Sequence, residues 1–73
     1  MKTLLLDAKP YRILKRYKNS ISLQPIDSEY PHTILMQDPV HHLRWGHSVG
    51  GNTTAFYRRV SDDLFTRVLD KTH

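Results

Sequence analysis

Residues 54–71 read TAFYRRVSDDLFTRVLDK, and they decide the fold class of this chain. On a helical projection their apolar side chains fall within an arc of about 220°, with Arg59 and the aspartates mostly opposite. This pattern predicts one amphipathic C-terminal helix. In a second interpretation the helix begins at Ser61, whose hydroxyl would cap it, and residues 54–60 form a strand. We favour the long helix, and the state of residues 54–60 stays open at this point.

Upstream of this segment, residues 11–17 and 20–24 carry the pattern of a β-hairpin. The first run, YRILKRY, is rich in aromatic and β-branched residues, and the second, SISLQ, alternates polar with apolar side chains. Lys18-Asn19-Ser20, where the two runs meet, is suited to a turn. Shorter apolar runs at residues 2–6 and 32–37 predict two further strands.

A second, shorter helix is predicted over residues 39–49. Asp38 would cap its first turn, Pro39 is tolerated at the first helical position, and Gly50 is a suitable residue to end it. We therefore expect an α+β domain in which a small antiparallel sheet packs against the C-terminal amphipathic helix. The side chains expected in its core are Ile13, Ile21, Leu23, Ile34, Phe56, Val60, Leu64 and Val68.

The length of 73 residues and the absence of cysteine limit what kind of protein this is. Residues 1–73 are expected to form a single compact domain, and neither a disulfide framework nor a thiolate metal site is available to stabilise it. A domain of this size buries only about 60% of the surface that its unfolded chain exposes, so a deep catalytic pocket would consume much of the core. We therefore expect a protein that is not an enzyme.

The apolar runs of the chain are short. None approaches the roughly 20 residues that a membrane-spanning helix requires. Leu4-Leu5-Leu6 is also too short for the core of a signal peptide. The expected location is the cytoplasm, with no membrane partner.

Basic charge is concentrated at the beginning of the chain. Residues 1–18 contain six lysines and arginines and one aspartate, a net charge of +5, whereas residues 19–40 carry −3 and residues 41–73 carry +2. Concentrated positive charge attracts nucleic acid or an acidic protein surface and accelerates the encounter. The residues that we expect to contact a partner or nucleic acid are Arg12, Lys15, Arg16, Lys18, Arg44 and Trp45.

Aromatic residues near these charges have two interpretations. Tyr11 and Tyr17 alternate with basic residues and would stack on bases. They also lie on the same side of the strand as Ile13, which suits a place in the core. Trp45 follows Arg44 and fits an interface anchor, although the core is the commoner place for tryptophan.

The histidines are the remaining candidates for chemistry. His41, His42 and His47 lie close to Asp38 in the sequence, but adjacent histidines diverge by about 100° on a helix, and the longer spacing is not the usual i, i+4 pair. The serines carry none of the local signatures of an activated nucleophile. We predict no catalytic residue, no bound metal and no cofactor. A small metal-dependent nuclease is a third class of function, and it depends on the histidines alone.

In length, lack of cysteine, basic balance and density of charge, the chain resembles the small bacteriophage proteins that take over host machinery, and among them the inhibitors of host RNA polymerase. The resemblance implies a non-enzymatic transcription regulator that docks on the β′ N-terminal region of bacterial RNA polymerase near the RNA exit channel, inhibits initiation and suppresses termination. It assigns no role to an individual residue. The alternative, based on charge, is a small basic module that binds DNA or RNA, such as the nascent transcript.

Overall fold

The computed structural model describes residues 2–26 and 32–68, which form seven β-strands. In chain order these are β1 (Thr3–Leu6), β2 (Lys9–Arg16), β3 (Ser20–Pro25), β4 (Thr33–Gln37), β5 (Arg44–Val49), β6 (Asn52–Ser61) and β7 (Leu64–Arg67). Each strand pairs with its neighbours in sequence, and β7 pairs with β1, so that the sheet closes into a barrel.

The closing pair differs from the other pairs in direction. Consecutive strands of the barrel run antiparallel, so with an odd number of strands the first and the last run the same way. β1 and β7 are accordingly parallel, with Leu5 beside Leu64. The backbone N–H groups of Leu5 and Asp7 donate to the carbonyl groups of Asp63 and Phe65, at 2.9 and 2.8 Å. These bonds join the two edges of the sheet.

The turns define the two ends of the barrel. The upper end carries the turns at residues 7–8 and 50–51, and the lower end carries the connections at residues 17–19, 38–43 and 62–63. At the upper end Gly50 and Gly51 have φ angles of 61° and 86°, which a two-residue hairpin turn requires and which glycine adopts without steric cost.

The predicted α+β fold with a C-terminal helix is wrong. Residues 52–67 form the hairpin of β6 and β7, and the described residues contain no helix. The second interpretation is confirmed for residues 54–60, which form part of a strand. Its helix beginning at Ser61 is wrong, because residues 64–67 form β7. Residues 69–71 of the predicted helix lie outside the described residues. Within the described part of the chain, no helix has the length and apolar character needed to cross a membrane.

The physical reason for the error lies in side-chain shape and in one irregularity. Phe65 and Thr66 are aromatic or β-branched, lose rotamer freedom in a helix and fit a strand. A two-residue turn at residues 62–63 interrupts the segment. In addition, the register of β6 shifts between Arg59 and Ser61, so the apolar side chains do not keep a strict period of two. Their spacing therefore imitates a broad helical face.

The predicted helix over residues 39–49 is also wrong, because most of this segment belongs to β5. The cap itself is present. Asp38 Oδ1 accepts hydrogen bonds from the backbone N–H groups of Val40 at 2.8 Å and His41 at 2.9 Å. These hydrogen bonds hold the pKa of the Asp38 carboxyl below its ordinary value. The bond from His41 has the largest effect, and the bond from Val40 has the next largest. The aspartate thus stabilises a turn between β4 and β5 rather than the start of a helix.

The predicted hairpin is confirmed as β2 and β3, and the two shorter strands are confirmed as β1 and β4. A β-bulge between Ile13 and Lys15 changes which side chains of β2 face inward. Before the bulge Tyr11 is buried. After the bulge Arg16 pairs with the buried Ile21, which places its side chain at the lower end of the interior. The even alternation expected for β2 is therefore interrupted.

Side chains from all seven strands fill the barrel. The buried apolar residues are Leu4, Leu6, Tyr11, Ile21, Leu23, Leu35, Trp45, Tyr57 and Phe65. The rings of Trp45 and Phe65 meet edge to face with their centres 5.6 Å apart. Burial of this apolar surface is the main stabilising contribution to the fold.

The predicted core is confirmed only in part. Ile21 and Leu23 are buried, and Ile13 packs against the buried cluster. Val60 and Leu64 are exposed, because each occupies a strand position whose side chain points to the outside of the barrel. The remaining predicted core residues, which are half-buried, are Ile34, Phe56 and Val68.

The neighbouring residues Leu64 and Phe65 allow an experimental test of the barrel. Phe65 is 1% exposed and Leu64 is 36% exposed. Phe65→Ala is expected to lower the free energy of unfolding by about 3–5 kcal/mol, because it leaves a cavity in the core. Leu64→Ala is expected to lower the free energy of unfolding by about 1 kcal/mol or less. Urea denaturation followed by Trp45 fluorescence measures both changes, and equal losses would contradict the inward position of Phe65.

The turn between β1 and β2 generates a second prediction. Ala8 has a φ angle of 74°, in the left-handed region that is unfavourable for a residue with a Cβ. Ala8→Gly is expected to raise the free energy of unfolding by about 0.5–1 kcal/mol, because glycine relieves more strain than it adds in chain entropy. The control is Ala55→Gly within β6, which should destabilise. A loss of stability at both positions in thermal denaturation would show that Ala8 is not strained.

Candidate binding surfaces

Two arginines close the lower end of the barrel through ion pairs with the β6–β7 turn. Arg16 Nη2 donates to Asp63 Oδ1 at 2.8 Å and to the backbone carbonyl of Asp62 at 3.1 Å. Arg59 pairs with the carboxylate of Asp62. The pairs are partly exposed, so each contributes no more than about 1 kcal/mol. Arg16, which was expected to contact a partner, is therefore engaged within the molecule.

A shallow groove beside these ion pairs is bordered by exposed apolar side chains. Leu43 lies in the connection between β4 and β5 and is 73% exposed, and Val60 at the β6 bulge is exposed as well. Leu43 and Val60 line a cavity of about 390 Å³ together with Arg59 and the edge of Trp45. We call Leu43 and Val60, with the groove that they line, the lower-end patch. Grouped exposed apolar side chains of this kind mark interaction surfaces.

The basic residues of β2 and its turn remain on the surface. Lys15 Nζ lies 5.4 Å from the centre of the exposed Tyr17 ring, which is cation–π distance. Lys18 is exposed in the turn that follows β2, and Arg12 is exposed on the strand itself. These side chains add positive charge to the side of the barrel formed by β2.

The outer face of β5 and β6 combines an aromatic ring with two arginines. Arg44, Gly46 and Ser48 alternate with inward-facing residues along β5. On β6, Phe56 and Arg58 flank the buried Tyr57 and point outward. The guanidinium carbon of Arg44 lies 5.3 Å from the centre of the Phe56 ring, in a cation–π contact.

Gly46 provides the space that the Phe56 ring occupies. The two residues are directly opposite in the β5–β6 register. A Cβ atom on Gly46 would lie 3.3 Å from Phe56 Cε1, closer than an ordinary contact, and 3.4 Å from Thr53 Cγ2. Beside the ring, the hydroxyl oxygens of Ser48 and Thr53 are 3.2 Å apart. We call this surface the Arg–Phe face; its residues are Arg44, Gly46, Ser48, Thr53, Phe56 and Arg58.

The two arginines of the Arg–Phe face lie close to each other. Arg44 is paired directly with Arg58 across β5 and β6. Like charges in this position destabilise a sheet. Neither arginine forms an ion pair with a carboxylate of the described residues. An anionic partner would relieve the repulsion between them.

The structure divides the predicted binding residues among three places. The first group, on β2 and the following turn, contains Arg12, Lys15, Arg16 and Lys18. Arg44 lies on β5, three strands away around the barrel. Trp45 is 4% exposed and belongs to the core. The six residues therefore do not form one surface.

Sequence reasoning missed most of the lower-end patch and of the Arg–Phe face. The sequence pattern places Phe56 and Val60 in the core of a C-terminal helix and Leu43 on the inner face of the helix predicted over residues 39–49, and it does not single out Arg58. The order Phe56-Tyr57-Arg58 carries a usable signal, since in a strand it places the outer two residues on one side and Tyr57 on the other. That signal is readable only once residues 54–60 are known to be a strand.

The upper end of the barrel holds a half-open cavity of about 240 Å³ around His47. Thr33 Oγ1 and His47 Nε2 are 2.8 Å apart and share a buried hydrogen bond. The Tyr11 ring meets the imidazole edge to face at 5.3 Å. Desolvation, and then the charge of Lys9, lowers the pKa of His47 from the ordinary value of 6.5. The imidazole therefore favours its neutral form in the folded protein.

The other two histidines of the sequence cluster lie elsewhere. His41 and His42 are exposed in the connection between β4 and β5, whereas His47 points into the barrel. Within residues 2–26 and 32–68, no group of three or more histidine or carboxylate side chains is arranged to hold a metal ion. The proximity of these histidines in sequence does not become a cluster in space.

Comparison with known proteins gives no relative: no family model, no curated protein and no solved structure matches the chain.

The buried His47 makes stability depend on pH. Its pKa is lower in the folded state than in the unfolded state, so the unfolded chain binds the proton first and folding weakens as the pH falls below about 6.5. The midpoint of urea denaturation should therefore decrease from pH 7 to pH 5. In the His47→Gln variant, which retains a hydrogen-bonding partner for Thr33, this midpoint should decrease less between pH 7 and pH 5. An equal decrease of the midpoint in the wild type and in the variant would contradict this prediction.

Proposed function

We propose that the protein is a non-enzymatic transcription regulator that binds bacterial RNA polymerase in the cytoplasm, inhibits initiation and suppresses termination. The observation that carries this proposal is the lower-end patch, which leaves apolar side chains exposed beside a groove. The choice of polymerase as the partner, and of its β′ N-terminal region as the docking site, rests on the resemblance to small phage inhibitors in size and charge.

The lower-end patch has the composition of a protein interface. Leu43 and Val60 face the same groove, and Arg59 and the edge of Trp45 form its walls. Interfaces combine an apolar centre with aromatic and arginine side chains, and a few such residues supply most of the binding energy. Leu43 is the most exposed apolar side chain lining the groove and is the expected anchor.

Positive charge near the patch would assist the encounter with an acidic surface. Lys18, in the turn after β2, lines a cavity at the lower end together with Trp45 and Arg59, and the chain carries a net charge of +4. Charges at the rim of an interface mainly change the association rate and its salt dependence, whereas buried anchors mainly change the dissociation rate. Measured association and dissociation rates therefore distinguish rim charges from buried anchors.

Leu43→Asp is expected to weaken binding to purified bacterial core RNA polymerase at least about fivefold, mostly through faster dissociation, because it places a charge in an apolar contact. The matched control is Leu14→Asp, an exposed leucine of β2 on another side of the barrel. Biolayer interferometry measures both rates, and promoter-dependent run-off and terminator read-through measure the two effects on transcription.

Equal weakening by the two variants would show that the lower-end patch is not the contact surface. If the wild-type protein did not bind polymerase but bound bare DNA or RNA, the proposal would be overturned and the alternative, a small basic nucleic-acid-binding module, would replace it. Arg16 is unsuitable for this test, because its ion pair with Asp63 stabilises the fold.

A further inference from the structure

We propose that the Arg–Phe face binds single-stranded RNA. This goes beyond the proposed function, since polymerase binding through the lower-end patch requires no contact with RNA. Three features of the face support it: a half-buried aromatic ring on the outside of the barrel, two adjacent arginines, and a pair of hydroxyl groups beside the ring.

The ring is placed where a base can reach it. Phe56 lies over the backbone of Gly46, so no side chain from that position of β5 stands between the ring and solvent. The guanidinium carbon of Arg44 lies over the ring, 5.3 Å from its centre. Unpaired bases stack on aromatic rings and on guanidinium planes alike. A base can therefore extend the Phe56–Arg44 stack or replace Arg44 on the ring.

The charge of the face is complementary to a phosphate backbone. Arg44 and Arg58 are opposite each other on adjacent strands, and neither forms a close ion pair with a carboxylate of the described residues, although the charge of Arg44 contributes to the lowered pKa of Asp38. A phosphate bound close to both would remove their mutual repulsion. The distribution of charge thus favours a polyanion over an apolar peptide.

The form of the nucleic acid follows from the shape of the surface. The bases of a duplex are stacked on each other and are not available to a ring on a convex sheet, whereas a single strand presents them. From Arg44 to Ser48 the face extends about 13 Å along β5, which is enough for about two nucleotides. The hydroxyls of Ser48 and Thr53 lie beside the ring and can bond a ribose 2′-OH, the group that distinguishes RNA from DNA.

Fluorescence anisotropy with a labelled oligouridylate of about twelve nucleotides tests the proposal. Phe56→Leu, which keeps an apolar side chain over Gly46, should weaken binding about tenfold through loss of stacking. Arg58→Gln is an exposed change and should reduce the slope of log K against log salt by about 0.7, measured between about 50 and 200 mM salt. The matched control Lys15→Gln removes one positive charge from β2 and should weaken binding less than about twofold.

Circular dichroism and thermal melting establish that each variant is folded, and Arg58→Gln still tests the site if Phe56→Leu is not. Chemical-shift changes confined to β5 and β6 on addition of the oligouridylate would support the proposal. Absence of binding, or equal weakening by Phe56→Leu and Lys15→Gln, would overturn it. Equal or tighter binding of oligothymidylate or of duplex RNA would overturn the assignment to single-stranded RNA.

Discussion

The structure depends on closure of the sheet between β1 and β7. A meander of seven short strands left open would present two unpaired edges and would not enclose a core. The parallel pairing of Leu5 with Leu64, and the backbone bonds from Leu5 and Asp7, remove both edges at once. Phe65 of β7 meets Trp45 edge to face, which places an aromatic contact of the core beside the β1–β7 pair. A chain without cysteine thereby forms a continuous interior.

β-Bulges then determine which charges are structural and which are available to a partner. The irregularity after Ile13 turns Arg16 toward the lower end, where it pairs with Asp63. No such shift occurs at the start of β5, where Arg44 remains on the outside next to Arg58. Residues of the same chemical type thus have different roles because of register, and net charge alone does not distinguish them.

The sequence predicts the part of the fold in which alternation is uninterrupted. Residues 20–24 alternate cleanly, so the hairpin of β2 and β3 was predicted correctly. β5 also alternates, with Trp45 and His47 facing inward, but the Asp38-Pro39 start signal and the Gly50 stop favoured a helix instead. Over residues 54–67 the bulge of β6 and the following turn remove the period of two, and tertiary closure rather than local propensity determines the structure.

The candidate surfaces were less predictable than the fold, for the same reason. The predicted basic residues Lys15 and Lys18 are on the surface, yet Phe56 and Arg58 become neighbours of Arg44 only through pairing between strands. A side chain such as Leu43 is apolar in the sequence whether it fills the core or borders a groove. Its exposure depends on where β4 ends and β5 begins, and hydropathy alone does not locate that boundary.

The parallel closing pair has a mechanical consequence. Since β1 and β7 run in the same direction side by side, residue 3 lies toward the lower end and residue 67 toward the upper end. Tension applied between these two points would slide one strand along the other, so the bonds of Leu5 and Asp7 would carry the load together instead of opening one after another. The β1–β7 pair that closes the barrel is thus loaded in shear, the geometry in which short strands resist pulling best.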